Sequence, residues 1–129
     1  MKRAFKTRHF VRWMRKTGLT DEIPCRAVSE MQQGLIDADL GSGLVKKRVA
    51  SPGRGKRGGV RTLLATNKAD RWFFVFGFEK NERANISDEE LEGLRKIAKL
   101  LLGVTSVQLT VAVRDGSLQE ICHEEKSQG

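Results

Sequence analysis

Seven Lys and Arg side chains fall between Lys46 and Arg61, in the run KKRVASPGRGKRGGVR, together with four glycines, one proline and no acid. Arginine presents a planar fork to phosphate oxygens and lysine a point charge, while glycine lets backbone N–H groups come close to a phosphate. Three readings follow: a disordered cationic segment, a nucleotide-cradling loop, or a site that handles nucleic acid. The nucleotide-loop reading is the weakest. GRGKRGG lacks the Ser or Thr that follows Lys in a phosphate-binding loop, and a strand pattern follows it where that loop requires a helix. Disorder suits the composition of SPGRGKRGG but not its flanks. In LVKKRVA, the alternation puts Leu44, Lys46 and Arg48 on one face and Val45, Lys47 and Val49 on the other, and Arg61 projects from the strand that follows. Charges at fixed strand positions are focused as a loose tail's are not.

A fixed cationic face can bind RNA or DNA passively, with an affinity that falls steeply with salt. It can also cleave RNA. The RNA's own 2′-hydroxyl then attacks the adjacent phosphate, and the protein positions the groups, stabilises the added phosphate charge and moves protons. Crowded cations lower the pKa of a neighbouring lysine, which makes an amine a candidate base. His9 opens a predicted helix and His123 lies in a charged tail; both are read as incidental. Cys25 and Cys122, with those two distant histidines, lack the spacing of a zinc site, so neither metal nor cofactor is expected.

The elements that must hold these residues are legible as one domain over 1–129, with 104–129 its least regular part. Composition is globular, 39% hydrophobic and 31% charged, and the net charge of +8 with a pI near 9.9 points to a polyanionic partner. The basic excess lies in the first half of the chain. No apolar run follows MKRAFKTRHF and no stretch approaches a membrane span, so a cytoplasmic chain with both thiols free is expected.

RAFK reads as a first strand. Thr7 caps a helix whose Phe10, Trp13 and Met14 share a face, and Gly18 stops it. A second helix begins at Thr20, carries Ile23, Ala27, Val28 and Met31 inward, and ends at Gly34, forming a helical hairpin with the first. LVKKRVA, VRTLLAT and RWFFVFGF read as strands of an antiparallel meander, with SPGRGKRGG a loop between the first two. The last of the three is apolar on both faces and should lie centrally. Ser87 and Glu90 form a capping box for a helix closed by Gly103. VTSVQLTVAV has strand propensity, yet Ser106 can cap a short helix there, so both forms stay open. SLQEI reads as a final strand.

The stretches GLVKKRVASPGRGKRGGVRTLLA and RWFFVFGFEKNERANIS resemble the RelE/ParE superfamily of bacterial toxins, most closely its HigB/RelE-type members. These carry a basic glycine-rich loop, then G-G-x-R, then x-K-N-E after the next strand. The resemblance covers residues 2–103, and its most specific part is 43–87. It implies an α+β fold with an N-terminal helical hairpin packed on a twisted, mainly antiparallel sheet and a further helix after the central strands. It also implies a metal-independent endoribonuclease that cuts mRNA in the ribosomal A site, with the ribosome and a cognate antitoxin as partners. By position, Lys46, Arg48, Arg61 and Lys80 take catalytic roles, and Arg54, Lys56, Arg57 and Arg83 contact RNA. Asn81 and Glu82 belong to the motif or shape the turn into the last helix. Some relatives use a tyrosine past this motif; this chain has no tyrosine, and Ser87 stands near that place. Lys46 or another group must then move the proton. Two other functions remain open: a ParE-like toxin that binds DNA gyrase without cutting RNA, and a nucleic-acid-binding module without catalysis.

Overall fold

In the computed structural model the described residues are 2–51 and 55–123; at 51 and 55–58 the description covers the backbone only. The elements run β1 (Arg3–Thr7), α1 (Arg8–Arg15), α2 (Glu22–Gln32), β2 (Ala38–Gly41), β3 (Leu44–Ser51), β4 (Gly55–Thr66), β5 (Arg71–Glu79), α3 (Asp88–Leu102), α4 (Ser106–Asp115) and β6 (Leu118–Ile121). One six-stranded sheet has the order β2-β3-β4-β5-β1-β6. Only the β1–β5 pair is parallel; the other pairs are antiparallel, and β3, β4 and β5 form the expected meander.

Strand alternation divides the core into two layers. Val45, Val49, Val60, Leu64, Trp72 and Phe74 face Phe10 and Met14 of α1 and Ala27, Val28 and Met31 of α2. Leu44, Leu63, Ala65, Phe73 and Val75 face the other way, onto Leu94 and Ala98 of α3 and Leu109 of α4. Each large side chain so buried contributes about 1.5–3 kcal/mol. The fold is therefore α+β, with the helical hairpin on one sheet face and the later helices on the other. Strand β5 has a neighbour on each side, as its apolar run required. Its partner β4 shifts register between Leu63 and Leu64, so that Val75 is an extra residue between Phe74 and Phe76.

Several boundaries differ from those expected. Helix α2 starts at Glu22, with Asp21 rather than Thr20 next to it, because Thr20 serves in a turn whose carbonyl accepts from Ile23 N–H. The segment read as a loop is mostly strand: β3 runs to Ser51 and β4 begins at Gly55, leaving 52–54 outside the described residues. At Gly59 a side chain would strike the Val49 carbonyl, which explains the second glycine of GG as a close-approach position between the two strands. The ambiguous tail segment is a helix. Thr105, not Ser106, caps it, through a box in which its hydroxyl accepts from Gln108 N–H while the Gln108 side chain accepts from Thr105 N–H. Gly116 at φ +86° closes it. Two caps outweigh the strand propensity of its valines, and Val107 and Val111 remain exposed.

The expectation of two free thiols is overturned. Cys25, in the first turn of α2, and Cys122, just after β6, form a disulfide with Cα atoms 5.3 Å apart, although 97 residues separate them in sequence. Both lie against the α1–α2 side of the core, which brings them into reach. Closing so long a loop restricts the unfolded chain, so reduction should destabilise the protein by about 2–5 kcal/mol. We expect a lower denaturant midpoint for the wild type under reductant, and a Cys122→Ser midpoint that reductant does not move. A wild-type midpoint indifferent to reductant would rule out the clamp.

Candidate nucleic-acid interface

Helices α3 and α4 cover only part of their sheet face. The Leu44–Ala65 pair lies under them, in the core. Two residues further along β3, Lys46 pairs with Leu63, which pairs in turn with Phe76 on β5. Two further still, Arg48 stands directly opposite Arg61, which stands opposite Phe78. Directly opposed residues of antiparallel strands sit about 4.5–5.5 Å apart at Cα. Lys46, Arg48 and Arg61 therefore share one face at one end of the sheet; alternation predicted this for Lys46 and Arg48, and the β3–β4 register adds Arg61. Lys47 points the other way: it is buried, with its ammonium on Glu30 at 2.8 Å and donating to the Leu35 carbonyl at 2.9 Å. Its role is to tie β3 to α2.

The three cations of the site are held differently. Arg48 has a loose pair with Asp37, 3.8 Å from the carboxylate, and its side chain is half exposed; such a pair is weak. Lys46 has no side-chain partner among the described residues. Arg61 is half-buried, and its Nη1 is shut off from solvent with no hydrogen-bond partner among those residues. An unpaired donor on a buried cation is costly, and native chains seldom keep one without a use. Lys80 is the first residue after β5, exposed at the same end of the sheet. Arg54 lies outside the described residues; Lys56 and Arg57 fall on β4, with side chains outside the description.

Arg83, expected to contact RNA, is engaged within the protein. Its guanidinium forms two hydrogen bonds to the Glu90 carboxylate, at 2.7 and 3.0 Å, and lies over two rings, 5.4 Å from the centre of Phe76 and 5.6 Å from that of Phe78. Glu90 also accepts from Ser87 N–H within the capping box of α3. Arg83 thus joins the end of α3 to the aromatic wall beside Arg61. Asn81 and Glu82 do not cap α3, which is Ser87's task; they lie in the turn where Glu82 and Arg83 donate to the Glu79 carbonyl.

The sequence reading missed the aromatic wall. Counted by strict alternation from Phe73 and Val75, Phe76 and Phe78 belong to the opposite face. The extra residue at Val75 shifts the phase and turns both rings towards Arg61. The ring of His9, in the first turn of α1, stacks on Phe76 at 5.3 Å between centres and 5° between planes. It arrives there because α1 begins where β1 stops, beside β5. The aromatic run RWFFVFGF was the available signal, but its bulge was not.

Among the described residues no cluster of His, Cys, Asp or Glu suits a metal ion, and no single helix is long and apolar enough to cross a membrane. A family model described as the RelE toxin of the RelE/RelB toxin–antitoxin system matches residues 2–121. A search of curated proteins found no match to the chain.

Hydrogen bonds from Arg83, and next from the Ser87 N–H, hold the Glu90 carboxyl down at about 2, from an ordinary 4.5. Because the folded value is the lower one, the contribution of this pair is complete above about pH 4.5 and is lost as pH falls towards 2. The Glu90 side-chain carbon shift in NMR should therefore titrate near the lower value, and Arg83→Ala should raise its midpoint. A midpoint near 4.5 in the wild type would contradict the pairing.

Proposed function

The chain belongs to the RelE toxin family of toxin–antitoxin systems, and from that premise we propose that it is a ribosome-dependent endoribonuclease that inhibits translation by cutting mRNA in the ribosomal A site. A cognate antitoxin follows from the family. What supports the nuclease reading is the cationic face that strand pairing builds, with Arg61 directly opposite Arg48 and Lys46 two residues along β3.

Cleavage forms a bond from the 2′-oxygen to phosphorus and breaks the bond from phosphorus to the 5′-oxygen. Negative charge builds on the non-bridging oxygens, and the planar guanidinium of Arg61 is suited to meet it. Arg48 across the strand and Lys80 past β5 add charge on the same side. Lys46, without a partner among the described residues, is assigned the proton from the 2′-hydroxyl in place of the absent tyrosine, and water supplies a proton to the departing 5′-oxygen. Arg54, Lys56 and Arg57 remain the proposed contacts to the backbone of mRNA or ribosomal RNA, and Arg83 contributes by supporting the rings next to Arg61.

Primer extension on messages in a translating extract tests this. Wild-type protein should give discrete cuts, and Arg61→Ala should slow them by about 100-fold or more. Arg61→Lys should lose most of the activity too, since an ammonium lacks the planar fork. Uncut messages together with loss of gyrase supercoiling would replace the nuclease with a gyrase-binding toxin. Unimpaired growth of bacteria expressing the wild type would leave a binding module alone.

A further inference from the structure

Beside the cationic row lies a groove of about 380 Å³, open to solvent between the first turn of α1 and the face of α3. Its walls are His9, Val75, Phe76, Gly93, Leu94 and Ile97, nearly all apolar, and Ile97 is 42% exposed. Thr7 and Glu90 complete the lining; the Thr7 hydroxyl is spent on the Phe74 carbonyl and on capping Phe10 N–H, and Glu90 is held by Arg83 and Ser87. No lysine or arginine lines it, so a phosphate would find no partner there.

We propose that this groove takes a nucleobase of the RNA whose phosphate sits at Arg61, an inference that rests on the nuclease reading above. Four observations support a base over an apolar protein side chain. First, the groove is walled by an aromatic stack: the His9 and Phe76 rings lie nearly parallel on each other, and adding a base to aromatic side chains is a recurrent mode of holding unpaired bases. Second, the groove and the cationic row share Phe76 as a common wall, since Arg83 joins that ring to Phe78, the cross-strand partner of Arg61. Third, Arg61 and Phe76 are diagonal neighbours in the ladder, about 7–8 Å apart, a span one nucleotide bridges from phosphate to base. Fourth, Gly93 leaves the α3 wall flat: a Cβ built there meets nothing within 4 Å. A flat slot with stacked rings at one end suits a planar ring system, and the exposed His9 imidazole supplies a hydrogen-bonding edge that can distinguish one base from another.

The same Gly93 gives a clean test. It lies inside α3 with room for a side chain, and leucine favours a helix over glycine, so Gly93→Leu should fill the groove while keeping the fold, as a melting curve would verify. Binding of a short RNA made non-cleavable by 2′-deoxy substitution at the reacting nucleotide is measured against the same oligomer with one abasic nucleotide, moved position by position. For the wild type, one abasic position should weaken binding by about 5- to 150-fold, the range of single-base stacking. Gly93→Leu and His9→Ala should bind intact and abasic oligomers alike, while both still lose affinity as salt rises. Arg61→Ala should weaken both oligomers and keep the difference between them. If wild-type protein binds both equally while Arg61→Ala still weakens them, the slot is overturned and the phosphate reading stands. If Arg61→Ala changes nothing, the phosphate reading fails and takes the slot with it. If Gly93→Leu impairs antitoxin binding but leaves the abasic penalty intact, the groove is a protein contact and the base assignment is overturned.

Discussion

Two arginines face each other across the β3–β4 ladder, on the sheet face opposite the one that α1 and α2 cover. Like charges directly opposed on adjacent strands repel, so the pair has no structural purpose of its own. The register imposes it. Leu44, Val45, Val49, Val60, Leu63 and Leu64 fix that register by burial on two faces, and a slip of one residue would turn every one of them to the wrong side. Stability bought by the core is thus what holds Arg48 against Arg61. The nearest relief is partial, a 3.8 Å approach of Arg48 to Asp37. A surface kept in this condition is complementary to something anionic before that partner arrives, and the order of its cations is set by backbone pairing, not by side-chain reach.

The rest of the molecule can be understood as support for that register. Trp13 of α1 packs so closely over Gly77 that a Cβ there would come within 2.5 Å of its ring, and this contact presses the hairpin onto the strand next to the arginines. Lys47, which turns inward from β3, joins that strand to Glu30 and to the chain leaving α2. From the other side, Arg95 donates to the Leu40 carbonyl at 2.7 Å and ties α3 to the sheet edge at β2. The clustered positive charge is therefore divided. Lys47 and Arg95 are consumed in holding the sheet to its helices, while Lys46, Arg48 and Arg61 share one face.

This division explains what could be read from the sequence. Alternation in LVKKRVA separated Lys46 and Arg48 from Lys47 correctly, because a strand with two buried faces leaves its polar exceptions in plain view. The capping box at Ser87 and the breaker at Gly103 marked α3 because caps are local chemistry. Three features were not legible. A bulge depends on the pairing partner, so nothing in RWFFVFGF announced that Phe76 and Phe78 would change sides. The Arg83–Glu90 pair depends on how a turn folds back onto a helix start. The Cys25–Cys122 bond needs a three-dimensional proximity that composition cannot supply, and the habit of reading two scattered cysteines as free thiols failed on it.

The position of β1 has a consequence of timing. It precedes the other five strands in the chain, yet it pairs with nothing near it in sequence: Arg3 meets Arg71 on β5, and Ala4 meets Ile121 on β6. Helix α1, which brings Trp13 and His9 to the sheet, hangs directly from it. Long-range pairings of this kind form late, because the intervening chain must be closed first. The helix that braces the arginine-bearing strands therefore cannot be seated while β5 is still unmade, and the sheet is not finished until Ile121 is. A growing chain carries Lys46, Arg48 and Arg61 well before it has the frame that organises them, so the cationic surface is assembled only after β5 and β6 have been made.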